Sequence, residues 1–226
     1  MGARMKKRFL ITAALFALFV AYTVLVSTVD VQPIGPEGSE VGFAGINGYF
    51  RDAIGYHESW HITADYIGYS AFVSVAIFGF MGLTQLIRYR KADFRLWLLG
   101  GFYILMLVTY ILFKNVVINY RPVILDEGLE ASYPSSHTVL GVCCMGAAMM
   151  QIQYLLKKQP MLRAVLMGVC LAVGILLPVG RLLAGVHWFT DIVGGAILSA
   201  AFLMLYYTMV KYVGVKQRKK RPAKRR

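Results

Sequence analysis

Long uncharged stretches alternate with short polar ones from one end of the chain to the other. Residues 9–29 carry no charge, and a helix of that length reaches about 32 Å, enough to cross a hydrocarbon core. Comparable runs at 66–87, 96–113, 137–156, 164–179 and 187 to about 212 predict five further spans. The first run follows Arg4, Lys6, Lys7 and Arg8, as in a signal peptide. It is too long for such a peptide and lacks a small-residue cleavage site, so it reads as an uncleaved anchor. Residues 30–65 hold Pro33, Pro36 and several glycines, then Phe43, Tyr49, Phe50, Tyr56 and Trp60. That aromatic spacing suits a segment lying on the bilayer surface. Residues 216–226 are almost wholly basic and read as a disordered tail. The expected fold is therefore all-α: a polytopic bundle of six transmembrane helices with an interfacial outer segment, residues 1–215, followed by a basic cytoplasmic tail, residues 216–226.

Composition changes little in this picture but removes alternatives. At 58% hydrophobic residues, the 226-residue chain is too apolar for a soluble domain. Cys143, Cys144 and Cys170 lie inside apolar runs without ligand-like spacing, as small core residues would. A net charge of +13 would suit a nucleic-acid binder. Here, however, the cations are gathered between spans, as orientation signals are. With both termini on one side, that side holds 20 of the 24 Lys and Arg residues and a single acid, Asp93. The positive-inside rule then places both termini in the cytoplasm of a multi-pass cell-membrane protein. Three of the four cations on the outer side are Lys114, Arg121 and Arg181, and these same residues stand beside the candidate chemistry.

His187 and Asp191 are four apart, so on a helix they share a face. A carboxylate can then hold one ring N–H and leave the other nitrogen free, which is how a nucleophilic or basic histidine is built. Arg181 precedes them across Gly185, with a guanidinium suited to a phosphate. Lys114 and Arg121 are seven apart and fall within about 20° of one face if the third span continues that far. In Tyr133-Pro134-Ser135-Ser136-His137, the proline starts a helix whose free Ser136 and His137 amides make an anion site, with the Ser135 and Ser136 hydroxyls adding donors. His137 and His187 at one height give two imidazoles at one phosphate.

Together, Lys114, Arg121 and Pro122, then Pro134, Ser135 and His137, then Arg181, His187 and Asp191 resemble the three-part signature of the type 2 phosphatidic acid phosphatase (PAP2) superfamily. The resemblance covers nearly the whole chain except the tail. Two positions depart from the family pattern: Ser136 stands for the usual glycine and Gly180 for the usual serine. The first keeps the backbone N–H. The second removes a hydroxyl that would contact phosphate, about 1 kcal/mol of binding. The resemblance implies that His187 attacks phosphorus to form a phosphohistidine, that Asp191 holds its tautomer and that His137 protonates the leaving oxygen. Lys114, Arg121, Arg181, Ser135 and the Ser136 and His137 amides hold the anion. It implies neither metal nor other cofactor, since fixed cations and helix ends stabilise the transferring group. Its substrates are membrane lipids with a terminal phosphate or pyrophosphate, such as phosphatidylglycerophosphate, undecaprenyl pyrophosphate or phosphatidic acid.

Three other readings compete. His57-Glu58-Ser59-Trp60-His61 matches the H-E-x-x-H zinc-protease pattern, although no third ligand stands out and the motif falls in the interfacial segment. A transporter or non-catalytic binder of lipid phosphates would need cations, but its charges would lie near mid-bilayer rather than at span ends. A lipid phosphotransferase would use the same residues with another acceptor in place of water.

Overall fold

The computed structural model describes residues 2–125 and 128–220. These form α1 (Ala3–Thr28), α2 (Ala44–Ile54), α3 (Glu58–Tyr89), α4 (Phe94–Asn115), α5 (Ser136–Leu155), α6 (Pro160–Leu183) and α7 (Phe189–Lys220). All except α2 are long and apolar enough to cross a membrane, so the chain is an all-α six-span bundle, as the hydropathy pattern predicts.

The helix ends differ from the apolar runs, because hydropathy marks only the part of a helix that meets hydrocarbon. Helix α3 begins at Glu58, so His61 and Asp65 lie in its first turns instead of on a surface loop. Helix α4 stops at Asn115, so the two-turn helical relation between Lys114 and Arg121 does not exist. Helix α7 starts only at Phe189 and continues to Lys220, into the segment expected as a tail. The rest of that segment, 221–226, lies outside the described residues.

Helices α5 and α7 are the inner pair. Cys143, Cys144, Ala147 and Ala148 of α5 and Ala201, Phe202 and Tyr206 of α7 are buried, and small α5 side chains let neighbouring backbones approach. The outer spans turn Leu10, Phe80, Ile104 and Val169 outward, as lipid contact requires. All three cysteines are buried and free.

The α1–α3 connection is more tightly built than a surface-lying segment would be. Gln32 and Val41 form an antiparallel bridge. Buried Asn47 of α2 donates to Thr190 Oγ1 (2.9 Å) and accepts from the Thr190 N–H (3.2 Å), and Phe50 stacks on Phe189 at 4.4 Å. These contacts fix α2 on the start of α7. Tyr49, Tyr56 and Trp60 remain exposed.

Candidate active site

Five helix ends meet on one side of the bundle: the C-termini of α4 and α6 and the N-termini of α3, α5 and α7. The Ser135 N–H donates to the Asp191 carbonyl (3.1 Å), joining α5 to α7. Arg181 of α6 reaches His137 of α5.

His187 lies in the α6–α7 turn, two residues before α7, and is 3% exposed. Asp191, fully buried in the first turn of α7, accepts from the Trp188 N–H (2.9 Å), a side-chain cap that closes the helix start. The turn reverses at Gly185, whose φ of +68° is left-handed and whose Cα faces the Gly55 carbonyl.

The sequence predicts a direct bond from Asp191 to His187, and here the structure corrects it. With His187 outside the helix, Nδ1 lies 3.7 Å from Asp191 Oδ2, too far to bond. Ser132 fills the gap, donating to Asp191 Oδ2 at 2.5 Å and lying 2.9 Å from His187 Nδ1. Its one proton is given to the carboxylate, so its oxygen accepts from Nδ1–H, and the lone pair of His187 is left on Nε2. That nitrogen is buried and has no hydrogen-bond partner. Asn119 Nδ2 supports Asp191 Oδ1 at 3.3 Å. Burial, and then the Arg121 and Arg181 charges, hold the His187 pKa well below the usual imidazole value, which keeps the ring neutral.

Arg181 is 1% exposed. It donates Nη1 to His61 Nδ1 (2.8 Å), and its Nη2 contacts both Asp65 Oδ1 and His137 Nε2. Asp65 Oδ1 is also 3.4 Å from His137 Nε2. Arg181 Nε and His137 Nδ1 are buried without partners. Ser136 and His137 are the first residues of α5, where backbone N–H groups lack intrahelical acceptors.

Other expected site residues are placed differently. The Ser135 hydroxyl is fully buried as the α5 N-cap, accepting from Thr138 N (3.4 Å) and Thr138 Oγ1 (3.0 Å), so it serves the helix start. Pro134 precedes that cap and is not the first helical residue. Arg121 arrives on an extended segment, held by the Tyr120–Ala131 bridge, with Nε 2.8 Å from Glu130 Oε2. Lys114 is exposed and makes no hydrogen bond or ion pair among the described residues, because α4 ends one residue later. His57 and His61 do not converge: His57 Nε2 meets the Ile54 carbonyl (2.8 Å), whereas His61 faces Arg181.

Sequence reasoning missed Ser132, Asn119 and Asp65, and singled out His61 only within the zinc-protease pattern. His61 and Asp65 carry a signal that was available, the same four-residue His–Asp spacing as His187 and Asp191. Ser132 and Asn119 carry none, since only folding brings them to Asp191.

The fold is shared with a solved transmembrane PAP2-type phosphatidylglycerolphosphate phosphatase from Bacillus subtilis, at a TM-score of 0.59 and 18% identity over 94% of this chain and 98% of that one. No curated protein matches the sequence significantly. The sequence model of the PAP2 superfamily matches residues 95–214, which include every expected site residue and exclude His61 and Asp65. That match spans more than half of the chain and holds Arg121, His137, Arg181, His187 and Asp191 in family order, so this six-span membrane protein belongs to the PAP2 superfamily and is a lipid phosphatase.

Proposed function

We propose that the protein removes a terminal phosphate or pyrophosphate from a membrane lipid through a phosphohistidine on His187, at the outer face of the membrane. The observation that carries this reading is the buried His187 Nε2, free of any partner, while Nδ1 is held by Ser132 and Asp191. Nε2 attacks phosphorus, and the bond to the leaving oxygen breaks with its electrons on that oxygen. His137 Nδ1, also unpartnered, supplies the proton. Water then attacks phosphorus, His137 takes a proton from it, and the N–P electrons return to Nε2. Arg121, Arg181 and the Ser136 and His137 amides hold the charge that develops on the phosphoryl oxygens, and Lys114 would have to swing inward to join them.

The site lies at helix ends, at headgroup depth, so a lipid can approach while its tail stays in hydrocarbon. The uneven division of cations between the two sides supports an outward-facing site. Residues 1–215 would form the catalytic unit, with 216–226 as a cytoplasmic appendage. The solved relative's substrate puts phosphatidylglycerophosphate first among candidates, ahead of undecaprenyl pyrophosphate and phosphatidic acid.

The test is acid-quenched turnover with labelled phosphate on each of these lipids and on a water-soluble phosphoester, after exhaustive chelation. Label on His187, phosphate release favouring a lipid, and loss of both in His187→Ala are expected. Faster hydrolysis of the soluble ester than of every lipid would overturn the substrate class. Transfer of label to a second lipid without free phosphate would replace hydrolysis by phosphotransfer.

A further inference from the structure

At the opposite end of the bundle from His187, α4, α5, α6 and α7 border an open cavity of about 720 Å³. It is lined by four cations, Arg95 of α4, Lys157 just after α5, Arg163 of α6 and Lys211 of α7. The nearest described acid is Asp93, which bonds Arg95 at 3.2 Å but does not line the cavity. Three cations are held at defined places by aromatic faces. The Arg95 guanidinium lies 3.6 Å and Lys157 Nζ 4.9 Å from the Tyr154 ring centroid, and Lys211 Nζ lies 5.2 Å from that of Tyr207. Arg163 makes no ion pair among the described residues. The remaining wall combines Met150, Val210 and Val215 with Gln151, Gln153 and Gln217, so the cavity offers apolar and amide surface beside its cations.

The positive-inside rule accounts for the sign of these residues, because cations collect at the ends of spans on one side. It does not account for their bordering a cavity with a partly apolar wall. A soluble phosphate would leave the apolar part of that wall unused. We infer that this cavity is a second lipid site, which seats the phosphate headgroup of an anionic phospholipid from the leaflet on the side of the chain termini, with its acyl chains leaving between the helices. A cavity of this volume falls in the range of small-molecule sites. Basic pockets between spans on the cytoplasmic side are suited to anionic headgroups. Helix α5 alone separates the site from His187 by about 30 Å, so the same lipid molecule cannot bridge the two.

The experiment is native mass spectrometry of the full chain released from nanodiscs containing equal phosphatidylglycerol and phosphatidylcholine, with and without millimolar inorganic phosphate. Wild-type protein is expected to retain phosphatidylglycerol preferentially, phosphate present or absent. The triple variant Lys157→Gln, Arg163→Gln, Lys211→Gln should lose at least about ten-fold of that retention, since each surface cation contributes several-fold to anionic-lipid attraction. Its turnover of a lipid phosphate in detergent should stay within two-fold of wild type, which shows that the bundle and the His187 site are intact. Equal retention by wild type and a folded variant would overturn the inference. Displacement of the lipid by inorganic phosphate, with phosphate bound in its place, would also overturn it in favour of a soluble-anion site. A variant that loses turnover is replaced by the single Arg163→Gln change, judged on retention by the same two outcomes.

Discussion

At the scale of single residues, the site depends on Ser132, which completes a chain from Asp191 to His187 that the carboxylate cannot complete itself. Ser132→Ala leaves Nδ1 without an acceptor and Asp191 without its shortest donor. The expected result is a fall in kcat of about 100-fold with KM little changed, because orientation of the imidazole is lost while the anion-binding cations stay. Ser132→Thr, which restores the hydroxyl, should recover most of that loss. Steady-state kinetics on a lipid phosphate, with both variants side by side, checks this. The pH dependence follows from the lowered pKa of His187. Protonation abolishes the nucleophile, so a lowered pKa keeps the enzyme active below about pH 6.5, the ordinary imidazole value. Arg121 opposes the imidazolium by its charge. Arg121→Gln removes that repulsion, raises the pKa, and should move the acid limb of the kcat/KM profile to higher pH while lowering its plateau. An unmoved limb would mean that another group sets it.

Among the elements, the α6–α7 turn has little freedom. A Cβ on Gly185 would stand 2.0 Å from the Gly55 carbonyl oxygen, and φ is already left-handed. Gly185→Ala therefore has to push this turn away from the residues before α3, displacing His187. We expect a loss of about 2 kcal/mol or more in stability together with a severe loss of turnover. Gly38→Ala is the matched control: its φ is +74° but nothing lies within 4 Å of the added Cβ, so only the conformational cost of about 1 kcal/mol should appear. Thermal unfolding of both proteins in detergent, with activity measured alongside, separates contact from conformation. The same logic makes α2 part of the site's support, since Asn47 and Phe50 fix the start of the helix that carries Asp191.

For the whole molecule, the two ends of the bundle carry different chemistry. One gathers His61, His137 and His187, two buried or half-buried arginines and the carboxylates that hold them, and the other an aromatic-lined ring of cations. The charge division predicts that the first faces outward. All three cysteines can be removed to give a background for single labels, at Gly38 on the catalytic side and at exposed Lys158 on the other. In intact cells an impermeant thiol reagent should modify the Gly38→Cys protein and leave the Lys158→Cys protein unlabelled. The reverse pattern would put the catalytic end inside.

The sequence by itself determined the class of fold, because a span must be long and apolar to satisfy its backbone in lipid, and that demand is written in consecutive residues. It also determined the family, because Arg121, His137, Arg181, His187 and Asp191 stand at short fixed spacings within local motifs. Only the tertiary structure decided how those motifs act together. That His187 is held through Ser132, that the Ser135 hydroxyl caps a helix, that Lys114 stays outside, and that Arg181 is neutralised by Asp65 of α3 all depend on residues far apart in the chain. Helical periodicity places side chains on a face, but it does not say where a helix ends or which neighbour meets it. For Arg121 and His187, both beyond a helix end, packing between helices replaced periodicity as the cause of position.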